Sequence, residues 1–295
     1  MKVRFGIGTA GHVADPAEFE GICTSLLTHG FDSIWVSEVL TQPGLDPLVS
    51  LAWLAGRLET LKIGTTFLVP GRNVIRMARQ LATLDYLSNG RLLVTAVPGL
   101  VRGDEASAVG VAPSERSSTM DETLPVLRSL LAGIPTDVVT PAGTACGVTL
   151  DPLPKQQPLE IWLGGTAPKS LDRCGRFADG WLPTMLSADD AVKGRRRIEE
   201  AASQAGRVID PEHYGVSIGY AAEPLPPSAL DAIRRRAKRE DVDEILPQNL
   251  PDLRRLIEGY LEVGFSKFVL RPLSTPANWD SELKAVSGAL GDLQT

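Results

Sequence analysis

The chain has 295 residues, of which 43% are hydrophobic and 22% charged, and its formal net charge at pH 7 is −6. This length allows a large buried core, and the composition is that of an ordinary globular protein. The acidic balance speaks against a general nucleic-acid binder, which needs a basic surface to neutralise phosphates.

Membrane and secretory signals are also missing from the sequence. The apolar runs are far shorter than the roughly 20 residues that a membrane helix needs, and the start MKVRFGIGTAGHV lacks the apolar core of a secretory signal. The three cysteines, Cys23, Cys146 and Cys174, show no metal or redox spacing. The sequence therefore predicts a cytoplasmic protein with no membrane or nucleic-acid partner, and it leaves a monomer and a homodimer open.

Short apolar runs alternate along the chain with longer segments of helical period. Eight runs are predicted as strands: Val3–Gly8, Ser33–Ser37, Lys62–Leu68, Leu92–Val97, Leu159–Leu163, Gly180–Pro183, Tyr214–Tyr220 and Lys267–Leu270. Nine segments are predicted as helices: Pro16–Thr28, Pro47–Leu58, Val74–Leu87, Ser114–Leu131, Pro168–Phe177, Ala188–Ala205, Pro227–Arg239, Pro251–Val263 and Ser281–Leu293. Continuous apolar strands are typical of parallel sheets covered by helices.

The eightfold alternation predicts a single α/β domain over residues 1–295, folded as a TIM (β/α)8 barrel. A doubly wound open sheet fits less well, because it usually has fewer strands and opens with a glycine-rich phosphate turn. Residues 132–158 interrupt the alternation with the strand-like pieces DVVT and GVTL. We expect these pieces to form a hairpin inserted between the fourth predicted helix and the fifth predicted strand.

The stretch IWLGGTAPKS joins the fifth predicted strand to a helix through Gly164 and Gly165. Thr166 is predicted to cap the helix, which begins with Ala167 and Pro168. Free N–H groups at a helix start attract phosphate, and glycines let a ligand approach the backbone. A tight turn that needs only a positive φ is the structural alternative, and the residues alone leave both interpretations open.

The carboxyl ends of barrel strands carry the chemistry in this fold, so polar residues there are candidates. Glu38 ends the second strand and could accept hydrogen bonds or titrate, although a solvated loop carboxylate is the alternative. His12 follows the first strand and is a candidate for proton transfer or a plain loop residue. His29 lies at a helix end and His213 precedes the seventh strand on the opposite face. No histidine pair has metal-ligand spacing, so no metal is predicted.

Four segments occur in a characteristic order: GFDSIWVSE (30–38), DPLVSLAWLAGRLETLKIGTTFLVPGRN (46–73), ARQLATLDYLSNGRLLVTAVPG (78–99) and IWLGGTAPKSLDRCGRFADGWLP (161–183). Together they resemble the bacterial luciferase-like monooxygenase family, and most closely its branch that uses the deazaflavin coenzyme F420 instead of flavin mononucleotide (FMN). The resemblance runs from the first strand to the last. It implies a TIM barrel that holds a flavin-like ring at its C-terminal mouth and transfers a hydride or activates oxygen there.

The resemblance also implies a set of cofactor-binding residues. Gly164–Ala167 would cradle the phosphate, and Gly180 and Trp181 would lie near the cofactor, with a core aromatic as the alternative for the tryptophan. Arg102, in the loop after the fourth strand, would bind the phosphate or the acidic tail of the cofactor. Ala96 lies where relatives often have GxGW, so this chain has lost glycines and a tryptophan from the fourth-strand contact.

Two further implications concern the ring itself. Relatives carry a strained non-prolyl cis peptide that supports the ring, and by position Thr66 and Phe67 are its candidates. The family usually places an acid at the position of Glu38, often followed by a histidine that donates a proton in some deazaflavin enzymes. Here the next residue is Val39, which speaks against chemistry like that of a sugar-phosphate dehydrogenase.

The sequence therefore predicts an oxidoreductase that transfers a hydride between deazaflavin coenzyme F420 and an unidentified small organic substrate, with Glu38 and His12 as the catalytic candidates. The alternatives are a luciferase-like monooxygenase that uses reduced FMN and oxygen, and a protein that binds a flavin-like ligand without turnover. The chain has neither a G-x-S-x-G nor a P-loop motif, which disfavours a hydrolase or a kinase.

Overall fold

The computed structural model describes residues 1–9, 13, 15–101, 103–237 and 239–295. Ten strands are found in this part of the chain: β1 (Arg4–Gly8), β2 (Ser33–Ser37), β3 (Lys62–Leu68), β4 (Leu92–Val97), β5 (Thr136–Thr140), β6 (Gly143–Val148), β7 (Ile161–Leu163), β8 (Gly180–Trp181), β9 (Gly215–Tyr220) and β10 (Lys267–Pro272). Eight of them form one parallel sheet in the order β8-β7-β4-β3-β2-β1-β10-β9. Bridges from Trp181 to Tyr214 and from Thr184 to Ser217 join its two edges, so the sheet closes into the predicted (β/α)8 barrel.

The remaining two strands, β5 and β6, form an antiparallel hairpin. It lies between the helix that precedes it and β7, where the sequence predicts an insertion, so this prediction is confirmed.

Helices cover the outside of the barrel. They are α1 (Pro16–Thr28), α2 (Pro47–Ala55), α3 (Val74–Leu87), α4 (Gly103–Ala108), α5 (Arg116–Leu131), α6 (Pro168–Phe177), α7 (Ala188–Gln204), α8 (Pro227–Ala237), α9 (Leu250–Glu262) and α10 (Trp279–Leu290), followed by a 3-10 turn over Gly291–Leu293. The side chains of Asp15, Asp46 and Asn73 accept hydrogen bonds from first-turn N–H groups and fix the starts of α1, α2 and α3. The short α4 was not predicted, because six residues carry too little periodicity.

The barrel core has two layers, apart from a small third cluster of Val242, Ile245 and Leu246 after α8. The larger one lies between the strands and the helices. The smaller one lies inside the barrel, where Trp35, Leu182 and Val269 pack with Leu93 and Trp162. Two indoles fit in this narrow interior because glycines face them.

Gly64 shows how tight this interior packing is. A methyl group on its Cα would lie 2.3 Å from Cδ2 of Trp35. We expect Gly64→Ala to lower the free energy of unfolding by about 1–3 kcal/mol, as overpacked cores do. Urea unfolding measures this change. Gly21→Ala, inside α1 with nothing within 4 Å of the added methyl, is the control and should raise stability slightly. Equal stabilities of the two variants would contradict the packing.

Candidate functional site

Polar side chains line the inside of the barrel at its C-terminal mouth. Leu93 packs in the inner layer, and side chains alternate along a strand, so Thr95 also faces inward. By the same alternation Thr66 lies on the inner face of β3, two residues after Gly64. Ser217 and Arg271, on the neighbouring strands β9 and β10, complete a polar floor beneath the mouth.

Arg271 is the cation of this floor. Its Nε donates to Oγ of Ser217 at 2.8 Å. A methyl group on Gly8, at the end of β1, would lie 2.4 Å from Nη1 of Arg271, so the glycine makes room for the guanidinium. The sequence analysis missed Arg271. Its place at the end of the last strand, where the apolar run FVL gives way to RP, is the signal that could have found it.

Thr95 contributes a buried hydroxyl to the same floor. The residue is 1% exposed, and its Oγ1 has no hydrogen-bond partner within the described parts of the chain. A buried hydroxyl without a partner is destabilising. A polar group of a ligand seated above the floor would satisfy it, which marks Thr95 as a second site residue that the sequence analysis missed.

Glu38 reaches the mouth, as predicted, but its carboxylate is already engaged. One oxygen binds the Arg72 guanidinium, and the other accepts from the backbone N–H of Leu68 at 2.7 Å. The side chain is 8% exposed. Glu38 therefore clamps the end of β2 to β3 and to the loop before α3. Val39 lines a small recess with Thr9, and this recess holds no acid or histidine among its described residues.

A buried arginine orders the loop that follows β4. Arg116 is 1% exposed and donates to the carbonyl oxygens of four residues along this loop. These acceptors are Pro98 (3.3 Å), Leu100 (2.7 Å), Ala106 (2.6 Å) and Val111 (3.1 Å). One side chain thus fixes a loop that contributes to the rim of the mouth.

Glu105 ties the same region to the loop after β2. Its carboxylate accepts from the N–H of Leu40 at 3.1 Å and from the N–H and hydroxyl of Thr41 at 3.0 and 2.8 Å. Burial opposes ionisation, but these hydrogen bonds and the charge of Arg116 outweigh it and lower the pKa of Glu105 below its ordinary 4.5. The two rim loops are therefore held together by an ionised carboxylate.

This arrangement predicts an acid-sensitive rim. A carboxyl with a depressed pKa stabilises the fold fully above its ordinary pKa and loses that contribution as the pH falls through the lowered value. As the pH falls below about 4.5, wild type should therefore lose more stability than Glu105→Gln, which has no carboxyl at this position. Urea unfolding across this pH range measures the difference. Parallel pH profiles for the two proteins would contradict it.

The glycine turn after β7 has the geometry of an anion cradle. Gly165 has φ +94°, which favours glycine, and residues 165–169 are exposed. The helix N-cap is Ala167, without a side-chain cap, so the prediction that Thr166 caps α6 was wrong. Pro168 has no N–H, and those of Ser170 and Leu171 already donate to the carbonyl oxygen of Ala167 at 2.8 and 3.0 Å. The first turn therefore leaves the N–H of Lys169 for an anion at the positive end of the helix. Gly164 packs against Val97, where a methyl would lie 3.0 Å from Cγ1.

Gly180 and Trp181 both pack within the core and do not line the barrel mouth. A methyl group on Gly180 would lie 2.4 Å from the Trp162 ring, so the group that approaches this glycine is an indole of the barrel interior. Trp181 is 1% exposed in the helix-side core, and its Nε1 donates to the carbonyl oxygen of Gly165 at 2.9 Å. Trp181 therefore supports the glycine turn from behind, and its ring does not face the mouth.

Strands β3 and β4 differ from the sequence-based expectation in two respects. The expected cis peptide is absent among the described residues, and two of the expected cofactor-binding side chains point away from the mouth. The cis peptide bonds of the described chain are Asp151–Pro152 and Gln157–Pro158, so the expected cis bond near Thr66 and Phe67 is absent there. Both residues instead continue the regular ladder of β3 with β4, where Thr66 pairs with Thr95 and Phe67 with Ala96.

Phe67 and Ala96 also point away from the mouth. They are register partners on β3 and β4, and both are 0% exposed in the core between barrel and helices. Their side chains cannot contact a ligand in the barrel mouth. Thr66, on the inner face, is the member of this group that the structure brings to the mouth.

The other candidates fall elsewhere. His12 and Arg102 lie outside the described residues. His29 caps the end of α1 and its Nε2 lies 2.9 Å from Oδ1 of Asp280. His213 precedes β9, on the N-terminal face as predicted. No group of three or more metal-ligating side chains occurs within the described ranges.

A cationic groove of about 630 Å³ lies directly beside the start of α6. Thr166 and Pro168 form one wall, and α7 and the segment after α8 form the others. Its charged lining residues are the cations Lys193, Arg196, Arg197 and Arg239 and the carboxylates Asp190 and Glu200. Positive charge therefore exceeds negative charge next to the anion cradle.

These features fit a flavin-like cofactor. The exposed glycine turn before α6 and the N–H of Lys169 suit a phosphate. The buried Thr95 hydroxyl has no polar partner within the described residues, and polar side chains line the mouth between the two. The fit rests on the chain's own donors and on the exposed, positive-φ turn at Gly165.

Comparison with known proteins decides the family. Residues 3–250 match the family described as luciferase-like monooxygenase. The chain belongs to this family. No helix within the described residues is both long and apolar enough to cross a membrane.

Two curated relatives illustrate the range of this family. An F420-dependent glucose-6-phosphate dehydrogenase of Nakamurella multipartita is 27% identical over 235 residues, which cover 70% of this chain and 64% of the relative. Limonene 1,2-monooxygenase of Rhodococcus erythropolis is 24% identical, over 80% of this chain and 64% of the relative. The match thus spans less than two thirds of either relative's length.

Solved structures confirm the barrel fold. An F420-dependent secondary alcohol dehydrogenase in complex with an F420-acetone adduct superposes with a TM-score of 0.82 at 18% identity, over 100% of both chains. The oxygenating constituent of 3,6-diketocamphane monooxygenase from Pseudomonas putida, in complex with FMN, gives 0.76 at 17% identity, over 100% of this chain and 99% of that one. The predicted fold and family are therefore both confirmed.

Proposed function

We propose that the protein is an oxidoreductase that transfers a hydride between coenzyme F420 and a small organic substrate at the C-terminal mouth of the barrel. Membership of the luciferase-like family supports a flavin-like cofactor at this end. The F420-dependent relatives and neighbouring structures support the deazaflavin. The substrate is left open beyond its class, because loops rather than motifs shape the pocket.

One observation favours F420 over FMN. The cationic groove adjoins the start of α6, where the cofactor phosphate would bind. FMN ends at its phosphate, whereas the deazaflavin continues beyond it into an acidic tail. Lys193 and Arg239 in the groove could donate to carboxylates of that tail in exchange for their present partners, which are Asp190 for both and also Glu244 for Arg239. FMN has no acidic tail that the groove could bind.

The chain's own residues supply position and charge. When bound, the deazaflavin would supply the hydride chemistry. The backbone of the Gly165 turn and the N–H of Lys169 would hold the phosphate, and Trp181 would keep this turn in shape from behind. Thr95 and Arg271 would orient polar groups of the ligand from below. The loop ordered by Arg116 would limit the access of water.

Glu38 is proposed to have a positioning role, not a proton-transfer role. We expect Glu38→Gln and Arg72→Gln each to lower the free energy of unfolding by about 1–3 kcal/mol, because each leaves a charged or polar partner unsatisfied. The double variant should lose less than the sum of the two, with a coupling energy of about 0.5–3 kcal/mol. Urea unfolding of the four proteins measures this cycle.

The affinity of the Glu38→Gln variant for F420 separates the two roles. If Glu38 only clamps the strand end, the variant should bind F420 with an affinity within about threefold of wild type. A lost contact worth 1.4 kcal/mol would instead weaken binding about tenfold. A variant with unchanged stability that no longer binds F420 would contradict the clamp and restore Glu38 as a ligand-facing group.

The proposed function is tested by titrating the purified protein with F420 and, in parallel, with FMN, and following cofactor fluorescence. Saturable binding of F420 at micromolar concentrations, at least about tenfold tighter than FMN, is the expected result. Preference for FMN would favour the monooxygenase. Binding of F420 without any spectral change across a panel of alcohols, ketones and alkenes would favour a non-catalytic binder. Binding of neither cofactor would contradict the proposal.

A further inference from the structure

A second cavity opens at the other end of the barrel. It has a volume of about 280 Å³ and lies at the N-terminal mouth, beneath the inner core layer. Its apolar surface comes from Trp35, Leu93, Trp162, Leu182 and Val269. Two of these side chains are indoles that reach it from β2 and β7, on different parts of the barrel wall.

The rim of this cavity is predominantly cationic. Arg4, Lys62, Arg91 and Lys267 line it, against the carboxylates of Asp32 and Glu160. Arg91 donates to the backbone carbonyls of Ala55, Leu61 and Ser88, so its charge faces no carboxylate in these contacts. The cavity therefore combines aromatic walls with an excess of positive charge at its entrance.

The cations at the entrance are only loosely neutralised. Arg4 and Lys62 share a single carboxylate, that of Asp32, at 3.4 Å each. Lys267 lies next to Arg4 in register; its ammonium donates to the Lys2 carbonyl at 2.6 Å and to the Ser266 hydroxyl at 2.9 Å, while the carboxylate of Glu212 lies 3.7 Å away. The pKa of Lys267 is lowered mainly by burial; Glu212 opposes this shift, and the charges of Arg4 and Lys62 add to it. A bound anion would relieve this crowding of like charges.

The depth of the cavity limits the size of its ligand. Lys62 pairs in register with Ser33, two residues before Trp35 on β2. Two residues of strand span about 7 Å, which separates the cationic entrance from the indole above it. This length accommodates one aromatic ring with a directly attached carboxylate.

We propose that the N-terminal cavity binds a small single-ring aromatic carboxylate, with the ring between Trp35 and Trp162 and the carboxylate at Lys62, Arg4 and Lys267. Glu160 accepts from Nε1 of Trp162 at 3.1 Å, and the His213 ring packs on that indole at 5.4 Å. These contacts hold Trp162 in place before any ligand enters. The site is separate from the C-terminal mouth and is independent of the cofactor proposed there.

Benzoate is the probe for this site. The chain has five tryptophans, so the ¹⁵N-labelled protein gives five indole N–H signals, which Trp162→Phe and Trp35→Phe help to assign. Benzoate at up to millimolar concentrations should shift the signals of Trp35 and Trp162, and saturating F420 should leave its affinity unchanged. Benzamide, which has the ring without the charge, should bind at least about tenfold more weakly.

A matched pair of variants tests the charged entrance. Lys62→Glu should weaken benzoate binding at least about tenfold, while Lys62→Arg should retain it. Arg57→Glu is the control: Arg57 and Lys62 are both 45% exposed, and each lies 3.4 Å from one carboxylate. Shifts confined to other indoles, displacement of benzoate by F420, equal affinity for benzamide, or no effect of Lys62→Glu would each overturn the proposal.

Discussion

Replacing Arg116 with leucine is expected to lower the free energy of unfolding by about 3–5 kcal/mol. The guanidinium donates to four carbonyl oxygens and is 1% exposed. A buried acceptor that loses its donor costs about 1–3 kcal/mol, and partial hydration of the loop recovers part of the total. Urea unfolding measures the loss.

A second arginine provides the control for this prediction. Arg196 is 82% exposed and pairs with Glu200 one helical turn away. Its replacement by leucine should change stability by no more than about 0.5 kcal/mol, as exposed pairs usually do. The account of the rim loop would be contradicted if Arg116→Leu cost less than about 1 kcal/mol, which is below the cost of a single unsatisfied acceptor.

Replacing Gly165 with alanine is expected to weaken F420 binding at least about tenfold, equivalent to 1.4 kcal/mol. At φ +94° an alanine is strained, and its methyl group would lie 3.2 Å from Ser170 at the start of α6. The turn must shift, which moves the N–H groups proposed to hold the phosphate. The strain itself should lower the free energy of unfolding by about 1–2 kcal/mol.

Gly206→Ala separates strain from binding. Gly206 is exposed, has φ +67°, and has nothing within 4 Å of an added methyl group. It should therefore show a similar loss of stability with an unchanged affinity for F420. If both variants bind F420 as wild type does, the glycine turn does not hold the phosphate.

The fold was largely predictable because its signals are local. Strands β1, β2 and β3 begin and end within one residue of the predicted positions, since apolar runs bounded by turn residues mark them. Helix starts were also well placed where Asp15 and Asn73 act as caps. Closure of the barrel followed from the count of eight strands.

The site was predictable only where its chemistry is contained in one short segment. Gly165 and its turn lie within such a segment, so the sequence could indicate them. The pairing of Glu38 with Arg72 could not be predicted, because the two residues lie 34 positions apart in the chain. Gly180 suggested an approaching ligand, whereas the approaching group is Trp162, on the neighbouring strand.

The face of the strand on which each side chain lies explains the remaining differences between the predicted and the observed site residues. Thr66 and Phe67 are adjacent in sequence but face opposite sides of β3, and only the register tells which one reaches the mouth. Thr95 and Ala96 differ in the same way on β4. The place of Arg271 at the end of the last strand indicated a mouth residue, but its packing against Gly8, on a strand far away in sequence, could not be predicted.

The location of the cofactor is the central claim, and hydrogen–deuterium exchange with and without saturating F420 tests it most directly. We predict slower exchange in residues 164–171 and in the strand ends at residues 36–41 and 95–101, with no change at the N-terminal mouth around residues 59–62 and 155–160. Protection confined to the N-terminal mouth, or none at all at a saturating concentration, would contradict the account.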